Sequence, residues 1–403
     1  MSAATASDLY FDPYDVEITA DPYPVLRRLR DEAPLYYNER YDFYALTRFE
    51  DVERALVDRD TFINSRGNVL ELIKADAQQP AGTLIFEDPP SHTIHRKLLS
   101  RAFTPRRLAA LEPQIREFTA ECLDPLVGSD GFDFVGDLGA QVPMQVIGML
   151  MGIPKEDQRT IRDYVDGYLR TEPGKPMKFQ KGAKWSAGSK LNAIFGEYID
   201  WRAKHPSDDV MTDLLNAEFE DEHGVTRRLT RDEVLLYVNV VAGAGNETTN
   251  RLIGWAGKVL ADHPDQRREL VDDPALIPGA VEELLRLESP GPIIGRYVAR
   301  DHEAHGQTVP AGSAMLLLAH SANHDERRYD DPDRFDIHRE AGQHLTFGHG
   351  IHFCLGAALA RLEGRIVVEE VLKRFPEWEV DLAGARMAPV SVVRGWETLP
   401  VLL

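Results

Sequence analysis

Only two cysteines occur in the chain, and one of them lies in the run Phe347-Gly348-His349-Gly350-Ile351-His352-Phe353-Cys354-Leu355-Gly356. From Ala357 to Val367 the apolar residues Leu359, Leu362 and Ile366 then mark one helical face, so Cys354 stands at a helix N-terminus. Backbone N–H groups and the positive end of the helix dipole favour an anion there, which predicts a thiol that loses its proton readily and ligates a metal. The glycines let the loop turn tightly and approach something flat. A buried free cysteine in a glycine loop is the plainer alternative. Zinc held by His349, His352 and Cys354 is another, but it lacks a fourth ligand at finger-like spacing.

A second constraint lies upstream. Thr230-Arg231-Asp232-Glu233 has the form of a capping box, and the apolar run Val234 to Val241 follows, so a long helix starts here. Inside it lies Ala244-Gly245-Asn246-Glu247-Thr248-Thr249, and Gly243 just before this run and Gly245 within it each cost a helix ~1 kcal/mol relative to alanine. Something must justify those weak points. A helix is expected over Pro22 to Arg30, stopped by Pro34, and a hairpin from Leu35–Tyr37 and Phe43–Thr47 before a short helix from about Glu50. Strand-like clusters return at Arg296–Arg300 and Met315–Ala319 in an otherwise helical chain. The fold class is therefore mainly α with a small β region. With neither repeats nor a low-complexity linker, residues 1–403 read as one domain. The stretch Glu172–Gly188, rich in Pro and Gly, reads as a long lid-like connection.

The 46 basic and 66 acidic residues give a net charge of −20, spread along the chain, which disfavours nucleic acid and anionic membranes as partners. Two cysteines make no disulfide framework, so a reducing compartment fits. The N-terminus lacks a signal-peptide pattern, and the most apolar window, Val142 to Ile153, is shorter than the ~18 to 20 residues that span a bilayer. These features predict a cytoplasmic protein without a membrane anchor.

The ten-residue cysteine loop is similar, at every fixed position, to the haem-binding loop of the cytochrome P-450 family. The resemblance runs from Asp21-Pro22-Tyr23-Pro24 to the terminal strands, with five motifs in family order. It implies the P-450 fold, with a thiolate-ligated haem b between the long helix and the cysteine-loop helix, Cys354 as iron ligand, and Phe347, Gly356 and Ala244 beside the haem. It implies that Glu247 and Thr248 relay protons, although relatives often carry Asp at position 247. It implies haem-propionate contacts from His92, Arg96, Arg296 and His352, the last being arginine in many relatives. It also implies a buried ionic triad of Glu283, Arg286 and Arg334.

The family's distal pocket maps onto Ile85, Val240, Ala244, Ile293, Ile294, Val392 and Val393, which implies a lipophilic small-molecule substrate. Selectivity is expected to reside in the loop Gly67–Thr83 and in the lid. No reductase segment is present, so the resemblance implies O₂ chemistry driven by a separate ferredoxin and its reductase, in a monomer. Lys97, Arg101, Arg106, Arg107, Arg361 and Arg365 are expected to form the docking patch. A peroxide-driven oxygenase and a haem-based gas sensor are the alternatives. The acid–alcohol pair, and the lack of an output domain, count against them.

Overall fold

The computed structural model describes residues 9–77, 82–169, 172–178, 189–340, 342–389 and 392–403. Its organising element is the helix Arg231–Asp262, whose first turn is closed by the expected capping box. Thr230 Oγ1 accepts the Glu233 N–H, while the Glu233 carboxylate accepts the Thr230 N–H at 2.7 Å and binds Arg227. Most of this helix is buried, which explains why its sequence is apolar on several faces rather than on one stripe.

Helices Val142–Met151, Ser189–Arg202 and Ala357–Arg374 pack around the long helix, and Pro105–Leu123 packs on Ala357–Arg374. Gly245 sits at one of these crossings. A Cβ there would lie 2.5 Å from Ile147 Cδ1, whereas Gly243 faces open space. Close helix packing thus accounts for one of the two glycines.

The hairpin forms as expected, Leu35–Asn38 against Phe43–Leu46. It joins a five-stranded sheet through a parallel pairing of Phe43–Leu46 with Ala314–Leu317, followed by Ile294–Val298 and Phe62–Ile63. This sheet aims Ile294 and Arg296 towards the end of the cysteine helix.

Two sequence expectations need adjustment. The loop Gly67–Thr83 contains a short helix, Leu70–Lys74, and its residues 78–81 lie outside the described ones, as do 179–188 of the lid. The segment Phe134–Met151 reaches 18 residues with a mean hydropathy of 1.2, long and apolar enough to cross a membrane, yet 61% of it is buried inside the protein.

Candidate active site

A cavity of about 330 Å³, open to solvent at its mouth, lies between the long helix and the cysteine helix. Ala244, Gly245, Thr248 and Thr249 line one side, and Phe347, Cys354, Leu355 and Gly356 the other. Ile85, Val240, Ile293 and Ile294 supply apolar wall, as the sequence predicts. Val392 and Val393 do not line it. The Arg394 N–H is tied to the Pro290 carbonyl at 2.7 Å, and Val393 packs into a different cavity beside Pro292.

Cys354 is held by its N–H to the Phe347 carbonyl at 2.8 Å, across a turn in which Gly348 and Gly350 adopt φ of 69° and 72°. At Gly350 a Cβ would also come within 3.1 Å of the Leu56 carbonyl oxygen, so the loop lies flat against its neighbour only because that side chain is missing. The exposed surface of Cys354 faces the cavity. Burial pushes its thiol pKa up, against the N–H groups of Gly356 and Ala357 and the guanidinium groups of Arg96 and Arg361. The easily ionised thiol read from the sequence is therefore corrected: the donors point at the sulfur as expected, but desolvation outweighs them.

Three of the four expected basic residues, Arg96, Arg296 and His352, line the cavity, and His92 does not line it but lies against His352. The rings of His92 and His352 lie 4.2 Å apart, and both are held below the usual histidine range, to about 4 and about 3, by burial first. Both ring nitrogens of His92 and Nε2 of His352 are buried without a partner. Arg296 is buried with its pKa pulled down to about 10 by desolvation, and Arg96 is shifted the same way. Orphaned donors and uncompensated cations at the rim of an apolar slot are what a flat macrocycle with two carboxylates requires. The residues present fit a haem, whose iron Cys354 would ligate. Among the described residues no cluster of three or more His, Cys, Asp or Glu side chains gathers as an all-protein metal site, so the zinc alternative lapses.

Glu247 and Thr248 diverge. Thr248 lines the cavity and donates to the Ala244 carbonyl at 2.8 Å. Glu247 is buried on the opposite side, paired with Arg251 one turn on, with Oε2 unpartnered. It faces a separate polar cavity of about 150 Å³ shared with Arg162, Asp163, Asn250 and Glu397. The i,i+4 spacing of Glu247 and Arg251 was the signal available for this partner. Glu363 is a further residue that sequence reasoning passed over: it lines the haem-side cavity fully buried, and its carboxyl is pushed up to about 8 by desolvation alone.

Glu283 and Arg286 are both 0% exposed and form a two-point pair at 2.7 and 2.8 Å. The third arginine is not Arg334. That side chain is 58% exposed and binds Asp331 and Asp336, whereas Arg339 reaches Glu283 at 2.9 Å. Arg286 also donates to the carbonyls of Asn323 and Pro332, which ties the pair to the loop carrying Arg339.

The six basic residues of the expected docking patch are only half available. Arg107 is bound by Asp208 and Asp213, Arg361 by Glu282, and Arg365 by Glu112 and Glu369. Lys97, Arg101 and Arg106 are exposed and have no carboxylate partner among the described residues. In so acidic a chain most surface arginines find a local acid.

The chain is similar to cytochromes P450 over nearly its whole length. The cytochrome P450 family model matches residues 187–387. A putative cytochrome P450 123 of Mycobacterium tuberculosis is 38% identical over 397 residues, covering 98% of this chain and 97% of the relative. The vitamin D(3) 25-hydroxylase of Pseudonocardia autotrophica is 35% identical over 411 residues, covering 100% and 99%. The structure of cytochrome P450 CYP109Q5 from Chondromyces apiculatus superposes with a TM-score of 0.84 at 34% identity, covering 97% of both chains. With a cysteine loop facing an apolar slot, a basic rim suited to haem, and full-length similarity of this order, the chain belongs to the cytochrome P450 family of haem-thiolate monooxygenases.

Proposed function

We propose that the chain works as a single catalytic unit that inserts one atom of O₂ into a lipophilic small molecule, with Cys354 as the iron ligand and a ferredoxin-type protein as electron donor. The observation that carries this reading is the apolar cavity bounded by Cys354 on one side and Thr248 on the other. Haem, when bound, would supply the oxygen activation, and a cysteine thiolate ligand would favour O–O cleavage over O₂ storage. The protein supplies the rest. His92, Arg96, Arg296 and His352 would hold the propionates, and Phe347, with Arg361 stacked 4.5 Å from its ring centroid, would shield the sulfur.

Reducing one oxygen atom to water consumes two protons inside an otherwise dry cavity. Thr248 presents its hydroxyl there, and Glu247 reaches the polar cavity on the other face of the same helix turn. Glu247 collects protons from that side and Thr248 hands them on. Thr248→Ala should leave electron consumption largely intact while product per NAD(P)H falls several-fold and peroxide appears. Unchanged coupling would remove Thr248 from the relay. Glu247→Gln should slow turnover about 10²-fold, the lower end for lost proton transfer.

The walls carry few polar groups, so burial of apolar surface drives substrate binding. The similarity to a vitamin D(3) 25-hydroxylase supports a lipophilic class without fixing its member. Titrating fatty acids, terpenoids, steroids and aromatics against the ferric protein, and following the spin-state shift as iron-bound water leaves, tests the reading. A shift by charged polar compounds alone would contradict it.

Lys97, Arg101 and Arg106 form the electron-donor face. Replacing all three with alanine should slow reduction by an acidic ferredoxin about tenfold at low salt and flatten its salt dependence. Reduction that is insensitive to salt in the unmodified protein would refute the assignment.

A further inference from the structure

Part of the apolar wall of the haem-side cavity comes from a single short turn, Leu84–Phe86, whose Leu84 and Ile85 line it. Within the turn the Phe86 N–H donates to the Thr83 carbonyl at 2.8 Å. One such bond closes a turn but does not fix how deep it sits, so its position depends on what holds the two ends. The far end is tied to the chain around Asn64. The Asn64 side chain donates to the Ile85 carbonyl at 3.1 Å, and the Asp88 carboxylate accepts the Asn64 and Ser65 N–H groups, both at 3.0 Å.

The near end is held by Glu87. Gly82, at a φ of 95°, turns its N–H inward, and one carboxylate oxygen of Glu87 accepts it at 2.7 Å. The other oxygen meets Nδ1 of His95 at 2.7 Å, on the helix Ser91–Ser100. Glu87 is 7% exposed and His95 4%, so water competes little for either bond. A carboxylate only accepts, which makes Nδ1 of His95 the donor. The His95 ring in turn packs edge-on against Tyr237 of the long helix, with centroids 5.8 Å apart. Glu87 thus joins the wall turn to the helix that carries His92 and Arg96.

We infer that Glu87, which does not itself line the cavity, is a positioning residue for ligand selectivity: its carboxylate, fixed by His95, sets how far Leu84 and Ile85 project into the cavity. The inference rests on that cavity being the haem and substrate pocket. A buried Gly82 N–H that loses its acceptor has to reach water, and the turn has to shift to let it. Ligands large enough to touch the wall then lose contacts, whereas a small ligand confined to the iron is unaffected. Glutamine should preserve the hold, since its carbonyl can accept the Gly82 N–H while its amide meets His95 in the other tautomer.

Imidazole and 4-phenylimidazole, titrated against the ferric haem-loaded protein and read by the Soret shift, separate the two kinds of ligand. The unmodified protein is expected to prefer the phenyl compound. In Glu87→Ala that preference should fall about fivefold or more, as ring contacts with the wall are lost, while imidazole affinity stays within about twofold. Hydrogen exchange over residues 82–87, followed by mass spectrometry, should speed up in the same variant. Glu87→Gln should keep the preference. An unchanged preference in Glu87→Ala, or an equal loss in Glu87→Gln, would overturn the inference. So would loss of haem from Glu87→Ala, which would make Glu87 a haem-binding group instead. Absence of any Soret shift with imidazole in the unmodified protein would sink the reading of the cavity, and the inference with it.

Discussion

Cys354→Ser is expected to abolish monooxygenation while leaving the fold and much of the haem in place. Serine keeps the size of the side chain at the start of the helix Ala357–Arg374, and the groups Arg96, Arg296 and His352 that line the cavity, with His92 behind them, remain. What goes is the axial sulfur and with it the electron donation that favours O–O cleavage. Turnover should drop by more than about 10³-fold, and the CO-bound reduced spectrum should lose its long-wavelength Soret band. Product formation at the unmodified rate would move the ligand elsewhere, and the only other cysteine, Cys122, sits half-buried beside Gln145 with its thiol pushed up to about 11 by burial.

The second large effect lies away from the chemistry. Glu283→Ala leaves Arg286, 0% exposed, and Arg339, 10% exposed, without their common carboxylate. Removing one partner of a buried pair costs ~3 to 5 kcal/mol. Against a typical net stability of ~5 to 15 kcal/mol, that is enough to lose haem incorporation outright. Arg339→Ala should destabilise in the same direction, whereas Arg334→Ala, on the surface, should stay within ~0.5 kcal/mol. Thermal unfolding and the haem-to-protein absorbance ratio of the three variants check this. Equal loss in Arg334→Ala and Arg339→Ala would contradict the assignment of the third arginine.

That pair of arginines shows where sequence reading stops. Glu283 and Arg286 were legible because three-residue spacing on a helix dictates that they meet. The third member comes from an irregular loop, where Arg334 and Arg339 lie five apart and no period says which turns inward. The Cys354 loop was legible for the opposite reason: ten contiguous residues, with glycines at two positive-φ positions, leave little freedom. The apolar wall was half legible. Ile293 and Ile294 stand at the start of a regular strand, but Val392 and Val393 belong to a turn whose direction is set by the Arg394–Pro290 hydrogen bond, a long-range contact. Surface charge was the least legible feature, because whether an arginine is free depends on acids far away in sequence, as with Arg365 and Glu112.

Glu247 illustrates the same limit inside the site. Sequence proximity to Thr248 suggested side chains working side by side, but adjacent helical residues point about 100° apart. The two groups therefore serve two cavities from one turn of helix, a division that suits an acid drawing protons from the polar side and an alcohol presenting them on the dry one.

The most direct test of a haem-thiolate centre at Cys354 is the reduced, CO-bound absorption spectrum of the purified protein. Thiolate ligation predicts a Soret band at about 450 nm. Haem bound with its band only at clearly shorter wavelength, or a folded protein that takes up no haem, would contradict the account.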